Sequence, residues 1–159
     1  MKKYKVLIII SALILGIVGS TYYYLNYSKS AYIKATESVL GQLYSIAENQ
    51  QNMLLSFDEN IIGKSPSDNV NVSKYNMDFL MPILSLRTSL YELHVPKDEK
   101  FKKFDDDLND FVHNHMVYSS DIIDAIEAND SYLLEESFKN LKGNLSNYSP
   151  LRDTLKNLK

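Results

Sequence analysis

His113-x-His115, with Asp110 three residues before His113 and Asp105, Asp106 and Asp107 a turn further back, is the only cluster in this sequence built from metal-ligating residue types. On a helix, positions two apart point about 200° around the axis from each other, so His113 and His115 cannot both hold one ion, whereas Asp110 and His113 share a face. A metal centre there would need further ligands from another helix. The reading adopted is a solvated acidic face carrying His113, with His115 as a histidine lining the core. No metal and no cofactor is expected.

Four polar side chains fall on helical stripes that are otherwise apolar: Gln50, Arg87, His94 and His115. Polar groups turned toward a core need hydrogen-bond partners. They are expected to form either a polar layer that sets helix register or the lining of a small-ligand pocket between helices. With an ordinary histidine pKa near 6.5, a buried His94 or His115 would also make the bundle sensitive to pH. The machinery of common enzymes is missing from the sequence. It has no Gly-x-Ser-x-Gly turn, no His-Glu-x-x-His pair, no phosphate-cradling glycine loop and no cysteine, and no enzymatic activity is expected.

The elements that must position these residues read as helices. Ile33, Thr36, Leu40, Leu43, Ala47, Gln50, Leu54, Phe57 and Ile61 advance in steps of three and four, a heptad-like stripe on one long helix predicted from about Tyr4 to Ile61. Gly63, Lys64, Ser65, Pro66 and Asp68 break the pattern in the longest loop, taken as distal and as a candidate interaction loop. A second helix from about Ser73 to His94 sets Leu80, Leu84, Arg87, Tyr91 and His94 on one line, flanked by Phe79, Ile83, Leu90 and Leu93. Pro82 within it is either a kink, the favoured reading, or the first turn of a later helix.

Pro96, Asp98 and Glu99 suit the start of the third helix, whose stripe runs Phe101, Phe104, Leu108, Phe111, His115, Tyr118, Ile122, Ala125. Asn129-Asp130-Ser131 supplies a stop and a cap before the fourth helix, which carries Leu134, Phe138, Leu141, Leu145, Tyr148, Leu151 or Arg152, Leu155 and Leu158, with Pro150 as a kink or restart. Four striped helices with short connections specify an all-α, up-down-up-down four-helix bundle.

Ahead of the bundle stand Lys2, Lys3 and Lys5, then an almost unbroken apolar run over residues 6–25, then Tyr22, Tyr23, Tyr24 and Tyr27. A run of about 20 apolar residues spans hydrocarbon as a helix, and lysines flank the cytoplasmic side. The expected organisation is a transmembrane anchor over 1–27, continuing into an extracytoplasmic bundle over 28–159 on a single-pass cell-membrane protein. Cleavage near Ser20, releasing a secreted domain, is the alternative. The richness in lysine, asparagine and isoleucine suits a bacterium with a single membrane.

Of the 17 basic residues, three precede the span, and the remainder faces 20 acidic ones, which leaves the extracytoplasmic part at −6. That charge excludes a nucleic-acid partner. The expected function is an interaction or accessory module for another membrane or envelope protein. The alternative is a small-molecule-binding domain that in layout resembles the periplasmic four-helix sensor domains of chemoreceptors, but without its own cytoplasmic output.

Overall fold

The computed structural model describes residues 28–53 and 71–159. The apolar run at residues 6–25 and the loop residues Gly63, Lys64, Ser65, Pro66 and Asp68 lie outside them. No described helix is long and apolar enough to cross a membrane.

Helix α1 covers residues 28–53 of the stripe. Next come α-helical Val72–Tyr75, π-helical Asn76–Leu80 and α-helical Met81–Tyr91, which follow one another without a break and form α2. Helix α3 is Glu99–Glu127, α4 is Ser131–Leu145 and α5 is Tyr148–Asn157. The described residues contain no strand.

The ends of these helices are set by side chains. Asn71 accepts the Lys74 N–H ahead of α2, Asp98 accepts the Lys100 N–H ahead of α3, and Asp130 accepts the N–H groups of both Tyr132 and Leu133 ahead of α4. Each occupies a donor that the first turn leaves without a backbone partner. Asn129 closes α3 in the left-handed region at φ 55°, a conformation that asparagine adopts more readily than most residues. Pro96 therefore stands outside α3, in the connection, and Asp98 is the cap.

Pro82 lies in the first turn of the α-helical part of α2, directly after the π-helical segment. Its ring would clash with the carbonyl four residues earlier in a regular α-helix. The wider turn relieves this: Met81 donates its N–H to the Asn76 carbonyl, five residues back. The proline expected to kink the helix thus stands in the first turn of an α-helical segment that follows directly on a π-turn. Pro150 marks a restart. Helix α4 ends at Leu145, Ser146 and Asn147 form a turn, and α5 begins with Pro150 in its first turn.

Contacts between helices give the topology. At one end Lys29 pairs with Asp98 at 3.3 Å and the Tyr32 hydroxyl donates to Asp105 at 2.8 Å; toward the other end Gln50 donates to Ser119 at 2.9 Å. Helices α1 and α3 therefore run parallel. Gln50 also reaches Tyr75 in the first turn of α2, which makes α2 antiparallel to α1. Asn144, late in α4, donates to the Phe111 carbonyl at 3.0 Å while Leu134, early in α4, packs near Ile122 and Ile126, so α3 and α4 are antiparallel. The Tyr44 and Tyr148 rings pack in a tilted contact with centroids 4.8 Å apart, and Lys159 pairs with Glu37 at 2.6 Å, which brings α5 back along α1. The result is a four-helix, up-down-up-down arrangement whose last member is broken into α4 and α5.

Two apolar clusters fill it. One joins Tyr32, Leu40 and Leu43 to Ile83, Leu90, Phe101, Phe104, Leu108, Leu151 and Leu155; the other joins Tyr75 and Phe79 to Ile122, Ile126, Leu134 and Leu141. On α2 the inward line is Phe79, Ile83, Leu86 and Leu90, so the line through Leu84 and Tyr91 that the sequence placed inside is exposed. Two apolar lines compete for the same helix, and the one carrying Ile83 and Leu90 meets α3.

The double cap at Asp130 makes the α3–α4 turn sensitive to a single oxygen. Asp130→Ala should destabilise the chain by about 1 kcal/mol, read as a lower urea midpoint with an unchanged slope. Asp130→Asn should recover most of the loss.

Candidate functional site

Gln50 and His115 are fully buried, each with 0 % of its surface exposed. Their positions follow from the helical phase. Gln50 continues the line of Leu43 and Ala47 on α1, and His115 continues that of Leu108 and Phe111 on α3, so packing these stripes together carries both polar side chains inside. The Gln50 amide nitrogen donates to the Tyr75 hydroxyl and to Ser119 Oγ at 2.9 Å, while Gln50 Oε1 lies 3.1 Å from His115 Nε2. Ser119 Oγ in turn donates to the His115 carbonyl at 2.8 Å.

This arrangement fixes the tautomer. Gln50 Oε1 can only accept, so His115 carries its proton on Nε2, and its Nδ1 faces the interior with no hydrogen-bond partner. Burial pushes the His115 pKa down to about 4, because an imidazolium there would lose its hydration without gaining a counter-charge. Burial likewise raises Tyr75 well above the usual phenol range, against the lowering effect of its bonds to Gln50 and Ser119. The layer is accordingly neutral near pH 7.

The remaining candidates sit elsewhere. Arg87 is half-buried at the α2–α3 boundary, with one guanidinium nitrogen 3.1 Å from the Tyr91 hydroxyl, another 3.5 Å from Met116 Sδ, and its charge 5.5 Å from the centre of the Tyr91 ring. It does not join Gln50 and His115. His94 is exposed, because α2 ends at Tyr91 and the residue lies in the connection to α3; it has no place in a polar core. His113 and Asp110 are exposed on α3, and among the described residues no group of three or more His, Cys, Asp or Glu converges as a metal site would require.

Asp105 corrects the picture of a purely solvated acidic face. It accepts from Tyr32 at 2.8 Å and from Asn109 Nδ2 at 3.0 Å, and partial burial, together with the charge of Asp106, holds its pKa above the usual carboxylate value despite those bonds.

Sequence reasoning found Gln50 and His115 but missed Tyr75 and Ser119. Tyr75 lies next to the loop, where no stripe was yet established. Ser119 follows the marked His115 by four residues, the spacing at which side chains share a helical face, and that signal was available. An open cleft of about 300 Å³ lies beside the α4–α5 break, between Asp107, Asp110 and Asn114 on α3 and Asn144 on α4, Asn147 in the turn and Thr154 on α5. Asp107 is already paired with Lys103 at 2.9 Å.

Comparison with known proteins adds no relative. No family model matches the chain, and neither a curated protein nor a solved structure is significantly similar to it.

The layer makes two measurable demands. Gln50→Leu removes the partner of the Tyr75 hydroxyl and of His115 Nε2 and the donor to Ser119 Oγ, which keeps its bond to the His115 carbonyl, and should cost about 3 kcal/mol in a urea melt, against about 1 kcal/mol for Tyr75→Phe. The unfolded chain binds a proton at His115 below pH 6.5, and the folded chain does so only near pH 4. Stability from this residue is therefore complete above pH 6.5 and declines as the pH falls toward 4, by up to about 3 kcal/mol. His115→Gln should lose correspondingly less stability over that interval.

Proposed function

We propose that this protein is a membrane-tethered helical bundle whose task is protein–protein contact at the outer face of the cell membrane, as an interaction or accessory module for membrane or envelope proteins. The tether is read from residues 2–27, where lysines, an apolar run and a tyrosine belt follow one another. The contact role rests on one observation: Met77, Met81, Leu84 and Tyr91 form an apolar line on the outside of α2, exposed by 70, 55, 37 and 67 % respectively. Exposed apolar residues scattered singly need no explanation, but a continuous line of them marks an interaction surface.

The small-molecule reading gains less support. Gln50, Ser119 and Tyr75 bond to one another across the helices, so the polar groups that would greet a ligand are already engaged.

A tagged full-length copy expressed in cells tests the proposal. The chain should stay in the membrane pellet through an alkaline wash, with Met1 retained, and chemical crosslinking should join it to protein. Met81→Glu with Leu84→Glu should abolish that crosslinking without lowering the melting temperature, since both side chains are exposed. A soluble chain that crosslinks to nothing would refute both halves of the reading.

A further inference from the structure

Helix α2 carries two apolar lines. The first, Phe79, Ile83, Leu86 and Leu90, is spent on the core of its own bundle. The second, Met77, Met81, Leu84 and Tyr91, with the polar Thr88 filling the position between the last two, is exposed throughout and advances in steps of four, three, four and three. That spacing is the seam of a second helix–helix interface. We infer that its occupant is α2 of a second copy of this chain, packed side by side and in the same direction.

Charge argues for a second copy. The extracytoplasmic part is strongly acidic, so two copies repel wherever acidic faces meet. Within α2 and its C-cap the only charged residues are Lys74, Asp78, Arg87 and Glu92, and none of them lies on the outer line. Lys74 and Asp78 already pair with each other. This is a face on which two acidic molecules can meet without bringing carboxylates together.

The flanking charges argue for the direction. With Met81 and Thr88 at a positions and Leu84 and Tyr91 at d positions, Arg87 falls at g and Glu92 at the following e. In a parallel pair the g residue of one helix faces the e residue of the next heptad on the other, so Arg87 of each copy meets Glu92 of its mate, twice per dimer by symmetry. Glu92 is exposed and belongs to none of the ion pairs among the described residues. An antiparallel pair sets g against g and e against e, and that complementarity is lost.

The tether points the same way. Two chains anchored through their N-termini in one membrane stand in the same sense, and so do their α2 helices. In this respect the inference rests on the membrane-anchored reading. A seam of two heptads is short, and confinement to a membrane raises the effective concentration at which it must act.

The chain has no cysteine, so any introduced thiol is the only one present. In membranes from cells expressing full-length variants, Leu84→Cys and Tyr91→Cys should each form oxidised homodimers, and the exposed Lys139→Cys on α4 should not. Arg87→Glu or Glu92→Arg, each combined with Leu84→Cys, should reduce dimer yield by about five-fold, and the double swap R87E/E92R should restore it. Glu92→Arg is the cleaner single change, because Glu92 is fully at the surface while Arg87 also contacts Met116.

Leu84→Cys dimer no more abundant than that of Lys139→Cys would overturn the inference. So would mixed dimers of Met77→Cys with Tyr91→Cys, the mark of an antiparallel pair. A thiol at position 84 captured by a different protein would overturn the second copy and leave the contact role standing. Homodimers found in the soluble fraction would do the reverse, keeping the seam and removing the anchor.

Discussion

A side-chain amide buried between helices must find acceptors for two protons and a donor for one oxygen, and the amide of Gln50 finds them on two neighbours at once. The apolar clusters on either side are held by contacts that are individually tolerant: a leucine shifted by one turn still meets other leucines. An amide shifted by one turn leaves itself, the Tyr75 hydroxyl and His115 Nε2 without these partners in a dry interior, at a cost comparable to much of a domain's net stability. Helices α1, α2 and α3 are thereby held at one height. The apolar clusters provide cohesion, and the layer ties α1, α2 and α3 together at one level.

The same logic explains what was readable from the sequence and what was not. The α3 stripe could be followed from Phe101 to Ala125 because one line of large apolar residues dominates its helix, and Asp130 was readable as a cap because asparagine and aspartate stand where two stripes stop. Gln50 and His115 were visible as interruptions in otherwise apolar lines. Helix α2 misled for the opposite reason. It offers two apolar lines, periodicity gives equal weight to both, and only the position of α3 decides that Ile83 and Leu90 go inside while Leu84 and Tyr91 stay out. His94 was placed on a helix that stops three residues before it.

Local backbone chemistry fills in what periodicity omits. Pro82 cannot sit in an uninterrupted α-helix without strain, yet α2 must be long enough to reach both clusters. The π-turn reconciles the two by widening the helix just before the proline. Tyr32 and Asp105 illustrate a similar compromise at the other end, where a phenol on α1 draws one carboxylate of an acidic run toward the core and leaves its neighbours Asp106 and Asp107 in water.

The turn at Ser146 and Asn147 divides the fourth column of the bundle into parts with different obligations. Helix α4 is tied to α3 through Asn144 and through both Leu134 and Leu141, whereas α5 contributes only Leu151 and Leu155 to the buried residues. A segment of ten residues whose buried contribution is two leucines, beside the Tyr44–Tyr148 ring contact and an ion pair just past its end, has less holding it than α4 has and should be the first part of the bundle to open locally. Amide protons of α5 would then exchange by a subglobal route, long before those of α3. The native state of this small bundle would in that sense be a hierarchy, with an interior tied across three helices and a last helix that opens first.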